Sequence, residues 1–256
     1  MDFTLTEEQR SIRETIRKFV AKECEREAVK RLDEEGTFPG ELFRKVADIG
    51  LCALTIPEAD GGAGPNVLAA VLVTAELAAI HPPLAGVFAT QSLCGGRVIA
   101  EIGTAAQKEQ YLPGLLDGSL LMTLAVTEPD QGYEETGSGT KARAEGDRIF
   151  IAGRKSSVRL ADRAAFLITH ATAVEDGGAS AFYIVGAAGS GVGVRPLEQV
   201  GFHGMSLCEV TFDNTAVSTG DRLGGDADAA AEDRKRDRIL AAEHLAVAAC
   251  ALGIAE

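Results

Sequence analysis

Hydrophobic residues follow three successive patterns along the chain. From residue 1 to about 120 they recur every three or four positions, which is typical of amphipathic helices; the first run is Ile12, Ile16, Phe19 and Val20. Thr6 and Gln9 have the spacing of a capping box, so this helix is predicted to run from about Glu7 to Leu32. Further helices are predicted at about residues 40–49, 66–80, 83–102 and 105–116.

A strand-like pattern replaces the helical one between about Leu120 and Val217. Five short β-rich segments, separated by turn residues, lie at 121–127, 147–153, 165–171, 180–186 and 207–213. Helical crossovers do not fit between them, so we expect an antiparallel sheet or a small barrel. Gly189–Gly193 is glycine-rich but leads towards Pro196 rather than into a helix, which predicts a turn and not a nucleotide loop.

The helical pattern returns after Gly225 and continues to Glu256. Together the three patterns predict an α+β multi-domain fold. Its parts are an N-terminal α-helical domain over 1–120, a middle antiparallel β-barrel domain over 121–225, and the first helix of an incomplete C-terminal helical domain over 226–256.

Composition and charge narrow the classes of function. The 256 residues include 25 Lys and Arg against 38 Asp and Glu, a net charge of −13, which argues against nucleic acid and anionic membranes as partners. The longest apolar stretch, Val67–Ile80, is too short to span a bilayer and carries Thr74 and Glu76. No signal peptide is visible, and the scattered cysteines and histidines indicate neither a disulfide framework nor a metal site. We therefore expect a cytoplasmic protein.

Glu243 is the strongest candidate for chemistry in the helical end of the chain. It belongs to one stripe of residues spaced by three and four positions: Leu240, Glu243, Val247, Cys250 and Ile254. A carboxylate on an apolar stripe loses hydration, which favours its protonated form and suits a general base that works near neutral pH. The alternative is a glutamate at the edge of the stripe that reaches water or pairs with His244 or Arg236.

Two further features are ambiguous on the sequence alone. Leu124–Pro129 ends a predicted strand and leads into a glycine-rich polar loop, a frequent place for ligands, although a plain surface turn explains it as well. His203 follows Gly201 and Phe202 and precedes Gly204, in a predicted turn before a strand. On the sequence alone it is expected to be a surface or turn histidine.

Seven segments, in order, resemble the acyl-CoA dehydrogenase family. They cover essentially the whole chain: FTLTEEQRSIRETIRKFV (3–20), GLCALTIPEADGGAG (50–64), GTAAQKEQYLPGLLDG (103–118), LAVTEPDQGYEETGSGTKA (124–142), EGDRIFIAGRK (145–155), VGFHGMSLCEVTFDNTAV (200–217) and EHLAVAACALGIAE (243–256). The resemblance implies a helical bundle, a central β-barrel and a C-terminal four-helix bundle. It also implies FAD, an acyl-CoA substrate, an electron-transfer flavoprotein as acceptor, and a homo- or hetero-oligomer.

The resemblance also assigns roles to individual positions. Leu124, Val126 and Thr127 match positions that meet the flavin pyrimidine edge. Ser157 and Arg159 stand where the family pattern K-x-W-I-T has its Trp and its flavin-binding Thr. Towards the substrate, Tyr133 replaces a serine. Arginines of the family pattern become His203 and His244, and the second replacement removes a fixed cation that helps to hold the CoA ligand in the family.

Glu243 matches the position that carries the catalytic base in one branch of the family. The implied reaction is removal of an α-proton by this carboxylate and transfer of a β-hydride to flavin N5. Two rival readings stay open because of the substitutions at Tyr133, Ser157, Arg159 and His244. One is a non-catalytic or half-site subunit of a heteromeric acyl-CoA dehydrogenase. The other is an acyl-CoA-binding scaffold without redox chemistry.

Overall fold

The computed structural model describes residues 4–129, 139–174, 179–225 and 229–256. The first helix, α1 (Glu7–Glu23), begins at the predicted capping box, in which the Thr6 and Gln9 side chains and backbone amides bond reciprocally. The prediction of one helix to Leu32 is wrong, because the chain leaves helical geometry at Cys24 and resumes as α2 (Arg26–Glu34). Neither Gly nor Pro marks this break in the sequence.

The remaining helices of the N-terminal part lie close to their predicted bounds. They are α3 (Gly40–Asp48), α4 (Val67–Ala78), α5 (Pro82–Ala89), α6 (Arg97–Ile102) and α7 (Ala105–Leu116). A π-helical segment, Thr90–Gly96, joins α5 directly to α6. Such π-helical turns are rare and often occur at functional sites. Most residues of α4 and all but the first of α5 are buried, in keeping with their Ala- and Leu-rich composition.

Seven strands form one mixed sheet: β1 (Met122–Ala125), β2 (Lys141–Glu145), β3 (Arg148–Arg159), β4 (Phe166–Ala173), β5 (Ala179–Gly186), β6 (Val192–Pro196) and β7 (Leu207–Ser218). The order along the sheet is β1-β4-β2-β3-β7-β6, and β5 pairs with the other edge of β4. β1 and β2 both pair parallel to β4, one after the other along the same edge. The other pairings are antiparallel.

The expected fold class is confirmed, with three corrections inside the sheet. The sheet is mixed and not antiparallel throughout. Its described strands curl but do not close into a barrel, because no pairing joins β5 to β6. The strands β2 and β6 were not predicted. Four of the five residues of β2 are exposed, and β6 contains Gly193 and Pro196, so neither strand carries a strong hydrophobic alternation.

The last helix, α8 (Ala229–Ala255), packs across the helical part and the sheet. One continuous core joins residues of α4 and α5 to Ile168 and Phe182 of the sheet and to Ile239 and Ala242 of α8. The domain limits given above therefore stay a prediction. By length and composition alone α8 is apolar enough to cross a membrane, a test that core helices of soluble proteins also pass.

The stripe predicted for α8 is partly wrong. The buried face of the helix carries Ile239, Ala242, Ala246 and Ala249, whereas Val247 and Ile254 are about half exposed. Small residues mark this face because α8 lies against the backbone of α4. Glu243 sits at the edge of the buried face and is itself buried, at 8% exposure.

Candidate functional site

A β-bulge in β3 places the side chains of the candidate site. The pairing of β3 with β7 shifts register between Lys155 and Val158, and Ser157 in the bulge has a left-handed backbone, with φ of 54°. A bulge bends its strand and re-aims the side chains beside it. β3 is also bonded to the segment just after β1, since the Ser156 amide donates to the Thr127 carbonyl at 2.8 Å.

A buried ion pair holds the segment 126–128, which follows β1. Lys155 Nζ lies 2.7 Å from Glu128 Oε1 and 3.0 Å from the Val126 carbonyl oxygen. Glu128 also accepts from the amides of Gly139 and Thr140. Burial lowers the pKa of Lys155 to about 8, although its hydrogen bond to Glu128 favours the charged form. The pair was not predicted from the sequence. Glu128 is the glutamate of the TEP motif, and Lys155 is the lysine at the position of the family pattern K-x-W-I-T.

Thr127, the bulge and α8 line a cavity of about 500 Å³, here named the base cavity. Its wall is made of Thr127, Ser157, Arg159, Leu207, Glu243, His244, Val247 and Ala248. The volume is in the range of small-molecule sites. Residues from the end of β1, from β3, from β7 and from α8 thus meet at one place.

Glu243 pairs with a cation in the wall of the base cavity. Arg159 Nη2 lies 3.0 Å from Glu243 Oε1, and both side chains are largely buried. The other oxygen, Oε2, is buried and has no hydrogen-bond partner among the described residues. Arg236, one of the two partners suggested by the sequence, pairs with Asp233 and Asp237 instead. One oxygen of Glu243 is thus held, and the other is left to accept a proton.

A second cavity of about 530 Å³, here named the apolar cavity, lies beside the first. It shares Arg159, Leu207 and Val247 with the base cavity. The rest of its wall is Gly86, Ala89, Thr90, Glu198, Gln199, Val200, Gly201, Phe202, Met205, Ala246, Cys250, Ala251 and Ile254. Burial raises the pKa of Cys250 to about 11, so its thiol stays protonated near neutral pH and is a poor nucleophile.

The structure brings together five of the residues predicted for the site: Thr127, Ser157, Arg159, Glu243 and His244. Two others belong to neither wall. Leu124 is buried in β1, and Val126 is half-buried with its carbonyl bonded to Lys155. Tyr133 lies outside the described residues, so its predicted place near the substrate stays a prediction.

His203 is also part of neither wall. Its Nδ1 lies 3.8 Å from Asp33 Oδ2, and its side chain is partly exposed, as expected for a turn histidine.

Comparison with known proteins gives two matching family descriptions. Residues 6–119 match the acyl-CoA dehydrogenase N-terminal domain, and residues 123–215 match the acyl-CoA dehydrogenase middle domain. Benzylmalonyl-CoA dehydrogenase of Aromatoleum aromaticum is 31% identical over 100% of this chain and 67% of its own length. A probable acyl-CoA dehydrogenase of Bacillus subtilis is 28% identical over 100% of this chain and 67% of its own length.

The fold agrees with this match. The structure of a glutaryl-coenzyme A dehydrogenase in complex with glutaryl-CoA superposes with a TM-score of 0.91 at 28% identity, covering 99% of this chain and 65% of that one. The chain spans about two thirds, or less, of the length of the curated relatives it matches, for example 67% and 59%.

Proposed function

From the premise that the chain belongs to the acyl-CoA dehydrogenase family, we propose that it takes part in the FAD-dependent α,β-dehydrogenation of an acyl-CoA thioester. In this reaction a carboxylate removes the α-proton and the β-hydrogen leaves as hydride. A thioester acidifies the α-proton, so a carboxylate is a sufficient base if it is held in place and shielded from water.

The observation that carries the proposal is the environment of Glu243. Oε1 is held by Arg159, and Oε2 is buried without a partner among the described residues, beside a cavity. A general base must present an oxygen that has no competing donor. The apolar cavity begins on the same face of α8, where Ala246, Val247 and Cys250 follow Glu243, so it is the proposed place of the acyl group.

The residues of the base cavity fit a flavin by their chemistry. A flavin ring presents carbonyl oxygens and ring nitrogens, and the wall offers hydroxyl groups at Thr127 and Ser157 as hydrogen-bond partners. Bound FAD would supply the two-electron acceptor for the β-hydride. Lys155 and Glu128 would act indirectly, because they fix the loop that carries Thr127. We propose an electron-transfer flavoprotein as the electron acceptor and an oligomeric assembly.

Replacing Glu243 by Gln tests the base directly. Exchange of the α-protons of an acyl-CoA with solvent deuterium, measured by mass spectrometry, should fall by about 10²-fold or more, because the amide cannot accept the proton. Bound flavin should be retained. Asp237→Asn, on an exposed part of the same helix, is the control and should exchange at the wild-type rate. Unchanged exchange in Glu243→Gln would remove Glu243 from the mechanism.

One observation favours a second candidate function. Arg159 stands where the family pattern has a flavin-binding Thr, and its side chain occupies the wall of the base cavity in contact with Glu243. A bulky cation at this point narrows the space for a flavin, and it pairs with the Glu243 carboxylate that would act as the base. The candidate is a half-site subunit that completes its flavin site only with a different, related subunit.

A further inference from the structure

Thr90 is a polar residue in the wall of the otherwise mostly apolar cavity. The residue is 3% exposed and stands where α5 passes into the π-helical segment. Its backbone amide bonds to the carbonyls of Gly86 and Val87, but its Oγ1 is buried with no hydrogen-bond partner among the described residues. A buried hydroxyl in this state is costly, so each instance needs an explanation such as a ligand or a water molecule.

Other helical threonines of the chain show what Thr90 does not do. Thr74 Oγ1 donates to the Ala70 carbonyl at 2.8 Å, and Thr15 Oγ1 donates to the Ser11 carbonyl at 2.9 Å. This bond to the carbonyl four residues earlier is the usual way in which a helix satisfies a buried threonine. At Thr90 the hydroxyl makes no such bond, although the residue begins in helical geometry.

The neighbouring polar side chains of the apolar cavity are occupied by the protein itself. Gln199 holds its own loop, donating to the Gly201 and Met205 carbonyls and accepting from the Leu207 amide. Arg159 pairs with Glu243, and Glu198 is exposed at the rim. Within the described part of this wall, the Thr90 hydroxyl is therefore the buried side-chain group that a ligand could satisfy.

We propose that the acyl group taken by this chain is not a plain hydrocarbon but carries an oxygen atom that hydrogen-bonds to the Thr90 hydroxyl. This inference rests on the proposed function, in which the apolar cavity holds the acyl group. The oxygen belongs to a ketone, a hydroxyl or a carboxylate. A site built around a hydrogen bond discriminates strongly against an analogue that lacks it, since its own polar group is then left unpaired.

Isosteric thioesters test the proposal by binding, without turnover. Glutaryl-CoA, 5-oxohexanoyl-CoA and 5-methylhexanoyl-CoA differ only in whether the branched end carries a carboxylate, a ketone or two methyl groups. The same three ends are tested on chains one carbon shorter and one carbon longer, so that the series includes the chain length that reaches Thr90. In calorimetric titrations of the purified full chain, we expect at least one oxygenated thioester to bind about tenfold more tightly than its hydrocarbon isostere.

The Thr90→Val variant keeps the shape of the side chain and removes the hydroxyl, so it should lose that preference. Thr74→Val is the matched control, because Thr74 is equally buried but lies outside both cavities and has its partner. This control should keep the preference and lose stability, whereas Thr90→Val should be as stable as the wild type or more stable.

The outcomes separate the two proposals. Equal binding of oxygenated and hydrocarbon thioesters, as expected if only water satisfies Thr90, would overturn this inference and leave the proposed function standing. A preference that survives in Thr90→Val would also overturn it. Failure to bind any of the thioesters would instead contradict the proposed function.

Discussion

Single residues couple the stability of this protein to pH, and His170 does so most directly. Its ring is buried in β4 and stacks on Phe182 with the ring centres 4.9 Å apart. Burial, reinforced by the nearby charge of Lys155, lowers its pKa from 6.5 to about 3. Below about pH 6.5 the unfolded chain therefore binds a proton at His170 that the folded chain does not bind.

The stability contributed by neutral His170 is fully present above pH 6.5 and is lost as the pH falls towards about 3. Between pH 6 and pH 5 the free energy of unfolding should fall by up to about 1.4 kcal/mol for this group. Urea unfolding at pH 7, 6 and 5 measures the slope. His170→Gln should flatten this slope by the contribution of one proton. An equal slope in the wild type and in His170→Gln would contradict the assignment to His170.

Only some of the residues of the candidate site could be selected from the sequence. Glu243 could be selected because it lies near apolar residues at helical spacing, and the family pattern pointed to the same position. Its partner could not be selected, because Arg159 is separated from it by the whole of β4 to β7 and reaches it only through the bulge at Ser157. The orphan hydroxyl of Thr90 likewise depends on the local π-helical geometry, for which the sequence gives no rule.

Secondary-structure elements were predicted best where a side chain caps them. Thr6 and Thr104 each form a capping box and begin α1 and α7 at the predicted places. The break at Cys24 was missed because no Gly or Pro accompanies it. The parallel pairing of β1 and β2 with β4 was missed because hydrophobic alternation reports which face of a strand is buried and not which strand lies beside it.

The packing of α8 on α4 makes an element-scale prediction at Gly253. A Cβ atom at this position would lie 2.0 Å from the Ala75 carbonyl oxygen, so the helices touch through their backbones. Gly253→Ala should lower the free energy of unfolding by about 1–3 kcal/mol. It should do so although Ala is favoured over Gly within a helix by about 1 kcal/mol. Denaturant unfolding measures the change.

Gly201→Ala is the control for this substitution, because a Cβ atom there meets nothing within 4 Å and the residue has no left-handed backbone. Wild-type stability in Gly253→Ala would mean that α8 does not rest on α4 as described. Since α8 carries Glu243, such a result would also put the position of the base in question.

At the scale of the whole molecule, the candidate site depends on every part of the chain. The core runs from α4 and α5 through the inner face of the sheet to α8, and the cavities open where these parts meet. The order of helical, β and helical regions could be predicted from hydrophobic spacing. The meeting of Thr127, Ser157 and Glu243 was expected from the family resemblance and not from hydrophobic spacing, because it follows from how a bulged strand and a long helix cross.

The amount of flavin retained by the purified chain distinguishes a subunit that works alone from a half-site subunit. We expect the purified chain to retain a flavin with an absorbance band near ~450 nm, since Thr127 and the wall around it offer suitable donors. Arg159→Thr removes the guanidinium from the base cavity and should raise the retained flavin, whereas Arg195→Gln, in a surface pair with Glu209, should not. Flavin that is retained only after mixing with a related subunit, with no gain in Arg159→Thr, would favour the half-site candidate. In that case Arg159 is a permanent part of the cavity wall, and the proton-accepting carboxylate of the assembly must be sought on the other subunit.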